Sequence, residues 1–349
     1  MIRAISLLPL LWFVVSCGGD GPSASVGLPP EGATDSVPPV DSLPPDSTLH
    51  PPGDSVPPTP GDTTTPPPPS DTTGPEQPPY TPVHVGMPYG PTQQTTGDFS
   101  TDYSGTLIPG LPDSIMRMLE AARRKNLRLF IQFSGNEENS RDENGFNFDK
   151  WKHMVDRFKG MNFDPYIADG TILGHRIMDE PADPNNWNGH LVSKDQIDRM
   201  AQYSKELWPT MPAIIRAFPA YLKGYQYKYL DAAWAQFHTR FGSPAQFIAE
   251  NVRDAQELGI GLIAGLNLMN GGDGSSRIPG RKGKARQLWS MSPGEIRSYG
   301  NAIIDDPYIC AFLMFEYQAN YVNRPEIREA LLELGKKAET HPVRECRRN

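Results

Sequence analysis

The sequence predicts an α/β fold, a (β/α)8 TIM barrel with one short or irregular strand, preceded by a disordered proline-rich linker. Two observations on residues 83–349 lead to this prediction. Their length is close to the roughly 250 residues typical of such a barrel. Continuous apolar runs also alternate with amphipathic segments, as in parallel sheets that helices cover. An open doubly wound sheet is the alternative, but no Gly-x-Gly-x-x-Gly motif follows the first predicted strand.

Residues 1–16 have the features of a secretion signal. Arg3 is followed by an apolar run, Ala4–Val15, that is too short to span a bilayer. The run ends at Ser16 and Cys17, and this ending resembles the lipobox of bacterial lipoproteins. The resemblance implies cleavage before Cys17, lipidation of its thiol, and a lipid-anchored protein of the bacterial cell envelope that faces the periplasm or the exterior. An ordinary secretory signal that contains a cysteine is the alternative.

Residues 17–82, which begin with Cys17, are predicted to be a disordered linker. They contain 20 of the 37 prolines, together with many Ser, Thr and Asp residues, and therefore cannot bury enough apolar surface to fold. The prolines make the segment a semi-rigid spacer. It carries nine acids and no Lys or Arg, so it accounts for the net charge of -8, and residues 83–349 are close to neutral. Without a basic bias, nucleic acid is not an expected partner.

Two cysteines remain after Cys17. Cys310 lies in an apolar run and is expected to be an unpaired core residue, while Cys346 lies in a basic tail. A disulfide between them is possible in an oxidising compartment but is not our prediction. No Cys-x-x-Cys or His-x-x-x-His pattern is present, so neither a metal nor a cofactor is expected.

The first half of residues 83–349 begins with a short apolar run, Val83–Met87, which we predict to be a strand. Asp113–Lys125 is predicted to be a helix, since its apolar residues recur at helical spacing and its basic residues gather at the C-terminal end. The next predicted elements are a strand at Leu127–Phe133, a helix at Asp149–Phe158 and a buried strand within Thr171–Pro181.

The second half continues the alternation. A helix is predicted to open near Ser193, and a capping box with proline at the first helical position opens another at Ser292. The remaining predicted elements are strands Ala213–Ala217, Leu230–Phe237, Ile260–Leu268 and Cys310–Glu316, and helices Ser243–Leu258 and Glu326–Lys337. These elements give seven strands, and the eighth is expected within Pro88–Pro112.

Glu180 is the first candidate for chemistry. It ends the buried strand, and Pro181, which cannot donate to a sheet, follows it. An acid at the end of a core strand is costly to desolvate unless the strand opens into a cleft, and ligands bind at the carboxyl ends of parallel strands. The alternative is a solvated Asp-Glu pair at the entrance of a loop.

Glu316 repeats this pattern at the end of the last predicted strand. Period-2 alternation predicts one face with Gly174, Arg176, Met178 and Glu180, and another with Cys310, Phe312, Met314 and Glu316. If both faces line the barrel, the two glutamates point into its open end. Two carboxylates that flank a sugar bond can divide the work, since one donates a proton to the leaving oxygen and the other attacks or activates water.

Here the sequence resembles the TIM-barrel glycoside hydrolases of clan A, which carry Asn-Glu-Pro at one strand end and a second glutamate at a later one. Asp179-Glu180-Pro181 is similar to the first motif, with aspartate in place of asparagine, and Phe315-Glu316-Tyr317 to the second. Clan A places the second glutamate one strand earlier than the final strand. The resemblance implies that Glu180 is the acid/base and Glu316 the nucleophile, whereas the residues alone leave these roles open.

Other polar and aromatic residues near strand ends are candidates for substrate binding, and for each of them a packing role is the alternative. They are Asp179, Gln132, Asn136, Arg216, Trp234, Gln236 and Tyr317. His175 has the opposite parity from Glu180 and is expected to be a core histidine that faces a helix. The loop 270–286 is rich in glycine and in Arg and Lys, and it is expected at the open end, as a lid over an acidic glycan or as a solvated loop.

The sequence therefore predicts a membrane-anchored glycoside hydrolase, expected to be a monomer, that acts on an oligo- or polysaccharide. A non-catalytic carbohydrate-binding barrel displayed on a stalk is the main alternative. A metal-dependent hydrolase is a third possibility, and it would need Asp179, Glu180, Glu316 and His238 as ligands.

Overall fold

The computed structural model describes residues 81–281 and 287–348. The predicted signal peptide, Cys17 and nearly all of the 17–82 linker lie outside the described residues, as does part of the basic loop. No helix within the described ranges is both long enough and apolar enough to cross a membrane.

Eight parallel strands form one sheet, in the order β1-β8-β7-β6-β5-β4-β3-β2. They are β1 Tyr89–Pro91, β2 Gly105–Pro109, β3 Arg128–Gln132, β4 Ile172–Asp179, β5 Ala213–Arg216, β6 Ala232–Phe237, β7 Gly261–Leu266 and β8 Ile309–Met314. The two ends of this order meet, because the Ser104 N–H donates to the Tyr89 carbonyl at 2.9 Å and the Gln93 N–H donates to the Leu107 carbonyl at 2.8 Å. The sheet is therefore a nearly closed barrel, and the predicted fold class is confirmed.

Helices between the strands cover the outside of the barrel. They are α1 Ile115–Arg124, α2 Phe148–Asp156, α3 Asp164–Ala168, α4 Lys194–Leu207, α5 Pro219–Leu222, α6 Pro244–Leu258, α7 Pro293–Ile304, α8 Ala319–Val322 and α9 Pro325–Thr340. Helix α7 begins with the predicted capping box, in which Ser292 and Glu295 satisfy each other's backbone N–H groups. A two-stranded hairpin, Arg141–Asp142 with Gly145–Phe146, lies in the loop after β3.

The start of the barrel differs from the prediction. Val83–Met87 is not a strand, because Val83 and Val85 are exposed and the Met87 N–H donates to the Ala338 carbonyl at the end of α9. The first two strands, β1 and β2, both lie within Pro88–Pro112, where a single short strand was expected. Strand β1 has only three residues and ends in a proline, so it has almost no recognisable sequence pattern.

The two core layers are a large cluster between strands and helices, which we call the outer core, and a smaller cluster inside the barrel, which we call the inner core. The inner core includes Leu107, Phe130, Ile214, Trp234 and Ile263. His175 is fully buried outside the barrel and its Nδ1 lies 2.8 Å from the Ser204 hydroxyl of α4, as predicted for a helix-facing core histidine.

The inner core also contains a disulfide between Cys310 and Cys346, so the prediction of an unpaired Cys310 is wrong. The C-terminal tail folds back across the N-terminal ends of the strands, where Arg347 donates to the Thr210 carbonyl and Arg348 to the Tyr227 carbonyl. This path brings the Cα atoms of the two cysteines to 5.2 Å. It depends on contacts far apart in sequence and could not be inferred from the tail itself.

Candidate active site

The C-terminal ends of the eight strands form the mouth of the barrel. Four neighbouring strands, β3 to β6, each place a polar side chain there, namely Gln132, Asp179, Arg216 and Gln236. Arg216 donates to Asp179 at 2.7 Å and to Gln236 at 2.9 Å. These four predicted binding residues therefore belong to one hydrogen-bonded network, which Arg176 of β4 joins through Gln132 and Asp179.

Asp179 lies between two guanidinium groups, with Arg176 at 2.6 Å and Arg216 at 2.7 Å. Burial opposes ionisation of Asp179, but these two arginines outweigh burial and lower the pKa of its carboxyl group. Burial likewise opposes the charge on Arg216, and Asp179 and Glu180 outweigh it and raise the pKa of Arg216. Asp179 is therefore a charged hydrogen-bond acceptor at neutral pH and is unsuited to donate a proton.

Glu180 directly follows β4 and accepts a hydrogen bond from Arg216 at 2.8 Å and one from Asn186 at 3.2 Å. Its side chain is 45% exposed, so solvent and a ligand can reach it. Its backbone has a φ of 40°, which is uncommon for a residue with a side chain and is typical of functional sites. The Trp187 indole N–H donates to the Glu180 carbonyl and helps to fix this conformation.

Glu316 lies two residues beyond β8, after a cis peptide bond. Arg281 donates to its carboxylate at 3.1 Å and Gln318 at 2.8 Å, while the side chain is only 5% exposed. In the order of the barrel, β4 and β8 lie opposite each other. The two glutamates therefore follow opposite strands at the mouth, and each binds a different arginine.

The period-2 prediction of the two faces fails at irregularities in the sheet. Strand pairing shifts register between Arg176 and Met178, and Met178 packs in the outer core although Arg176 faces Gln132 at the mouth. The pairing of β8 with β7 also shifts register between Ile309 and Ala311. Beyond this point the alternation of inward and outward side chains in β8 is displaced by one residue. Its residues consequently divide between the inner core (Cys310, Ala311 and Leu313) and the outer core (Phe312 and Met314).

The remaining predicted binding residues are not part of this network. Trp234 is 2% exposed and lies in the inner core beneath Arg216, so its ring cannot stack on a sugar at the mouth. Asn136 is exposed in the loop after β3, and Tyr317 packs partly against the outer core. Two buried donors near the network, Trp234 Nε1 and Gln236 Nε2, have no hydrogen-bond partner among the described residues.

The sequence analysis missed Glu137, which opens a short 3-10 turn after β3. With Gln132, Asp179 and other residues it lines a small cavity of about 10 Å³. Burial and the negative charge of Asp179 raise the pKa of the Glu137 carboxyl group, with Arg176 acting in the opposite direction. Glu137 and Glu138 are adjacent in sequence, and no periodic pattern indicates that Glu137 is half-buried while Glu138 is exposed.

Two exposed aromatic residues at the mouth were also missed. Phe218 follows β5 and Phe241 follows β6, and their rings meet edge to face at 5.3 Å. They are 37% and 38% exposed, and both contact Phe247 of α6 below them. Neither lies in a strand, so the pattern of aromatic residues at strand ends does not point to them.

Within residues 81–281 and 287–348, no group of three or more His, Cys, Asp or Glu side chains is arranged to hold a metal ion. His238 instead accepts a hydrogen bond through Nδ1 from the Arg240 backbone N–H.

The chain was compared with protein families, curated proteins and solved structures. No family model matches the chain, and no curated protein is similar to it. Solved structures that it resembles include a beta-glucanase from Saccharophagus degradans, with 10% identity over 73% of this chain and 89% of that chain and a TM-score of 0.48. An endo-1,4-beta-xylanase from Caldicellulosiruptor owensensis has 10% identity over 71% and 96% and a TM-score of 0.46.

A beta-glucuronidase from an uncultured Clostridium has 10% identity over 72% of this chain and a TM-score of 0.47. The chain spans about half of that protein, since the match covers 50% of its length. At such identities the likeness concerns the fold alone and tells us neither the reaction nor the substrate of this chain.

Proposed function

We propose that this protein is a glycoside hydrolase that cleaves O-glycosidic bonds of an oligo- or polysaccharide at the barrel mouth. One observation carries the proposal: two glutamates, Glu180 after β4 and Glu316 after β8, follow the C-terminal ends of opposite strands of the barrel. The network of Asp179, Arg216 and Gln236 beside Glu180 offers charged and neutral partners for sugar hydroxyl groups. The Nε2 group of Gln236, which has no partner within the described part of the chain, is a further donor in this network.

The surroundings of the two glutamates support different roles. Glu316 is almost completely buried and is fixed by Arg281 and Gln318, as suits a nucleophile that must stay charged and correctly oriented. Glu180 is nearly half exposed, as suits a group that exchanges protons with solvent. This assignment agrees with the one that the clan A resemblance implies.

Attachment to the bacterial cell envelope through lipidated Cys17 is part of the proposal, and the linker would act as the spacer. The Cys310–Cys346 disulfide supports a location outside the cytoplasm, because such bonds persist in oxidising compartments. Replacement of Cys17 by serine should move the protein from the membrane fraction to the soluble fraction, and unchanged membrane association would contradict lipidation at this residue.

A displayed carbohydrate-binding barrel is the second candidate. The ion pairs at the mouth favour this candidate. Arg216 binds the carboxylate of Glu180 and Arg281 that of Glu316, whereas a hydrolase needs both carboxylates free to act on the substrate. Such a barrel would bind glycans through the same polar network and through Phe218 and Phe241 without forming product.

The deciding experiment uses Glu180→Gln and Glu316→Gln, with Glu250→Gln on the exposed face of α6 as control. Release of reducing sugar is measured on a panel of plant and bacterial polysaccharides, glycan binding by calorimetry, and folding by thermal unfolding. A hydrolase loses turnover by at least about 10²-fold in both glutamate variants and keeps its fold. Binding by the wild type without any product would favour the displayed barrel, and full activity of both variants would overturn this catalytic pair.

A further inference from the structure

Three arginines of the described structure pair with Asp179 and with the two proposed catalytic glutamates, and they differ in how much of each guanidinium is in use. Arg216 donates through Nη1 to Asp179 and Glu180. Its Nε and Nη2 both donate to Gln236. Arg176 is only 5% exposed and donates through both of its Nη atoms. Neither of these two side chains therefore offers a ligand an accessible edge that the described residues leave unoccupied.

Arg281, the third arginine, differs from both. Its side chain is 59% exposed, and its hydrogen bond within the described part of the chain runs from Nη1 to the Glu316 carboxylate at 3.1 Å. Glu316 is held in this orientation, because Gln318 binds its other carboxylate oxygen at 2.8 Å. The Nε and Nη2 atoms of Arg281, which form a separate edge of the planar group, thus have no acceptor among residues 81–281 and 287–348 and are open to a ligand.

The chain holds Arg281 in a defined position. Gly280, the preceding residue, donates its N–H to the Leu288 carbonyl at 2.8 Å. It also lies so close to the Met269 carbonyl that a larger residue would collide with it. The guanidinium carbon of Arg281 lies 5.7 Å from the centre of the Phe315 ring. Arg281 is therefore positioned before a ligand arrives, so that less freedom is lost when it binds one.

We infer that Arg281 binds the carboxylate of a uronic acid and that the proposed hydrolase therefore acts on acidic glycans; the inference rests on the proposed function. An exposed positive edge without an acceptor in the described part of the chain selects an anionic group. A guanidinium edge and a carboxylate are both planar and match in two parallel hydrogen bonds, so a carboxylate suits this edge.

The place of Arg281 also indicates which sugar carries the carboxylate. Nη1 stays on Glu316, the proposed nucleophile, whose oxygen must approach the anomeric carbon. A guanidinium is narrower than a pyranose ring, so a carboxylate at its other edge belongs to the sugar under attack or to the sugar next to it. Arg281 is thus a specificity-determining residue and donates no proton in the reaction.

The test uses polysaccharides in pairs that differ in charge. Polygalacturonate, alginate, hyaluronate and glucuronoxylan are each compared with their carboxyl-reduced form, in which the uronic acids have become neutral hexoses. A sulfated galactan is compared with its desulfated form, and glucan, xylan and mannan complete the panel. We expect the wild type to cleave at least one acidic polymer with a kcat/KM roughly 10- to 100-fold higher than on its reduced form.

The variants separate binding of a carboxylate from orientation of Glu316. Arg281→Gln should lower kcat/KM on the acidic polymer by roughly 10- to 100-fold, mainly through KM, and by less than about threefold on the reduced form. Arg281→Lys keeps the charge without the planar fork and should give an intermediate loss. Arg277→Gln, at an exposed arginine of the same loop, is the matched control and should retain wild-type activity on both forms. Thermal unfolding shows that each variant is folded at the assay temperature.

Each other result overturns the inference. Cleavage confined to neutral polysaccharides, or equal cleavage of an acidic polymer and its reduced form, would show that no carboxylate is recognised. Equal loss on both forms in Arg281→Gln would show that Arg281 only orients Glu316, and a preference for the sulfated galactan alone would assign its edge to a sulfate. In these cases the wild type remains a hydrolase and the proposed function stands. A wild type that cleaves none of the polymers, charged or neutral, would reject the proposed function and this inference with it.

Discussion

The guanidinium of Arg281 lies 3.1 Å from the carboxylate of Glu316, and the two side chains differ strongly in exposure, with 59% for Arg281 and 5% for Glu316. A buried carboxylate is thus neutralised by an arginine from the loop that follows β7. The contact places Arg281, one residue of the predicted basic loop, beside one of the proposed catalytic glutamates.

Replacement of Arg281 by glutamine should destabilise the protein by about 1 kcal/mol, because Glu316 then keeps Gln318 as its partner among the described residues and the exposed arginine is screened by solvent. A double-mutant cycle with Glu316→Gln, followed by urea unfolding, should give a coupling free energy of similar size that decreases with added salt. Arg277→Gln, an exposed arginine of the same loop, is the control. Strict additivity at low salt would contradict the ion pair.

Phe218 and Phe241 provide a second test, because sugar rings stack their apolar faces on aromatic rings. If substrate extends over this pair, Phe218→Ala and Phe241→Ala should each raise KM by about five- to tenfold, equivalent to about 1 kcal/mol of binding, with little change in kcat. Leu191→Ala, an exposed apolar residue that lies outside the aromatic pair, is the control. An unchanged KM in both variants on every cleaved polysaccharide would exclude the pair from the binding surface.

Local sequence patterns determine where the strands of the site end but not which of their side chains share a face. The strands that end near Glu180 and Glu316 were predictable because long buried runs stop at acids and proline. Which side chains share a face was not, because a register shift after Arg176 reverses the alternation that period-2 reasoning assumes. Trp234 likewise has the spacing of a residue at the mouth, but its burial depends on how the strands tilt and pack.

We expect the Cys310–Cys346 disulfide to contribute strongly to the free energy of unfolding. It joins residues 36 positions apart, and in the chain-entropy model a loop of this size is worth about 4 kcal/mol. Cys346→Ala should lower the free energy of urea unfolding by roughly 3–4 kcal/mol, and dithiothreitol should destabilise the wild type but not the variant. Val343→Ala, at an exposed position of the same tail, should have little effect. Equal midpoints with and without reductant in the wild type would argue that the bond does not form.

The buried imidazole of His175 should make the stability of the protein depend on pH. Complete burial, with a smaller contribution from Arg176, lowers the pKa of the imidazole to about 3 in the folded protein. The unfolded chain protonates the same group near its ordinary value of 6.5. Above that pH the residue is neutral in both states and contributes no pH dependence. Below it the unfolded state binds a proton that the folded state cannot, so stability falls as pH decreases from about 6.5 toward 3.

Each pH unit in this window should cost about 1.4 kcal/mol from His175 alone. The double variant His175→Phe/Ser204→Ala removes the titrating ring together with its hydroxyl partner and keeps an aromatic side chain among Phe133, Trp151 and Trp208. The free energy of unfolding, measured in urea between pH 6 and pH 4, should decrease less steeply in this variant by about that slope. Ser204→Ala alone leaves the imidazole in place and should retain the steep dependence. Parallel slopes in the double variant and the wild type would show that His175 is not the buried neutral group that the structure describes.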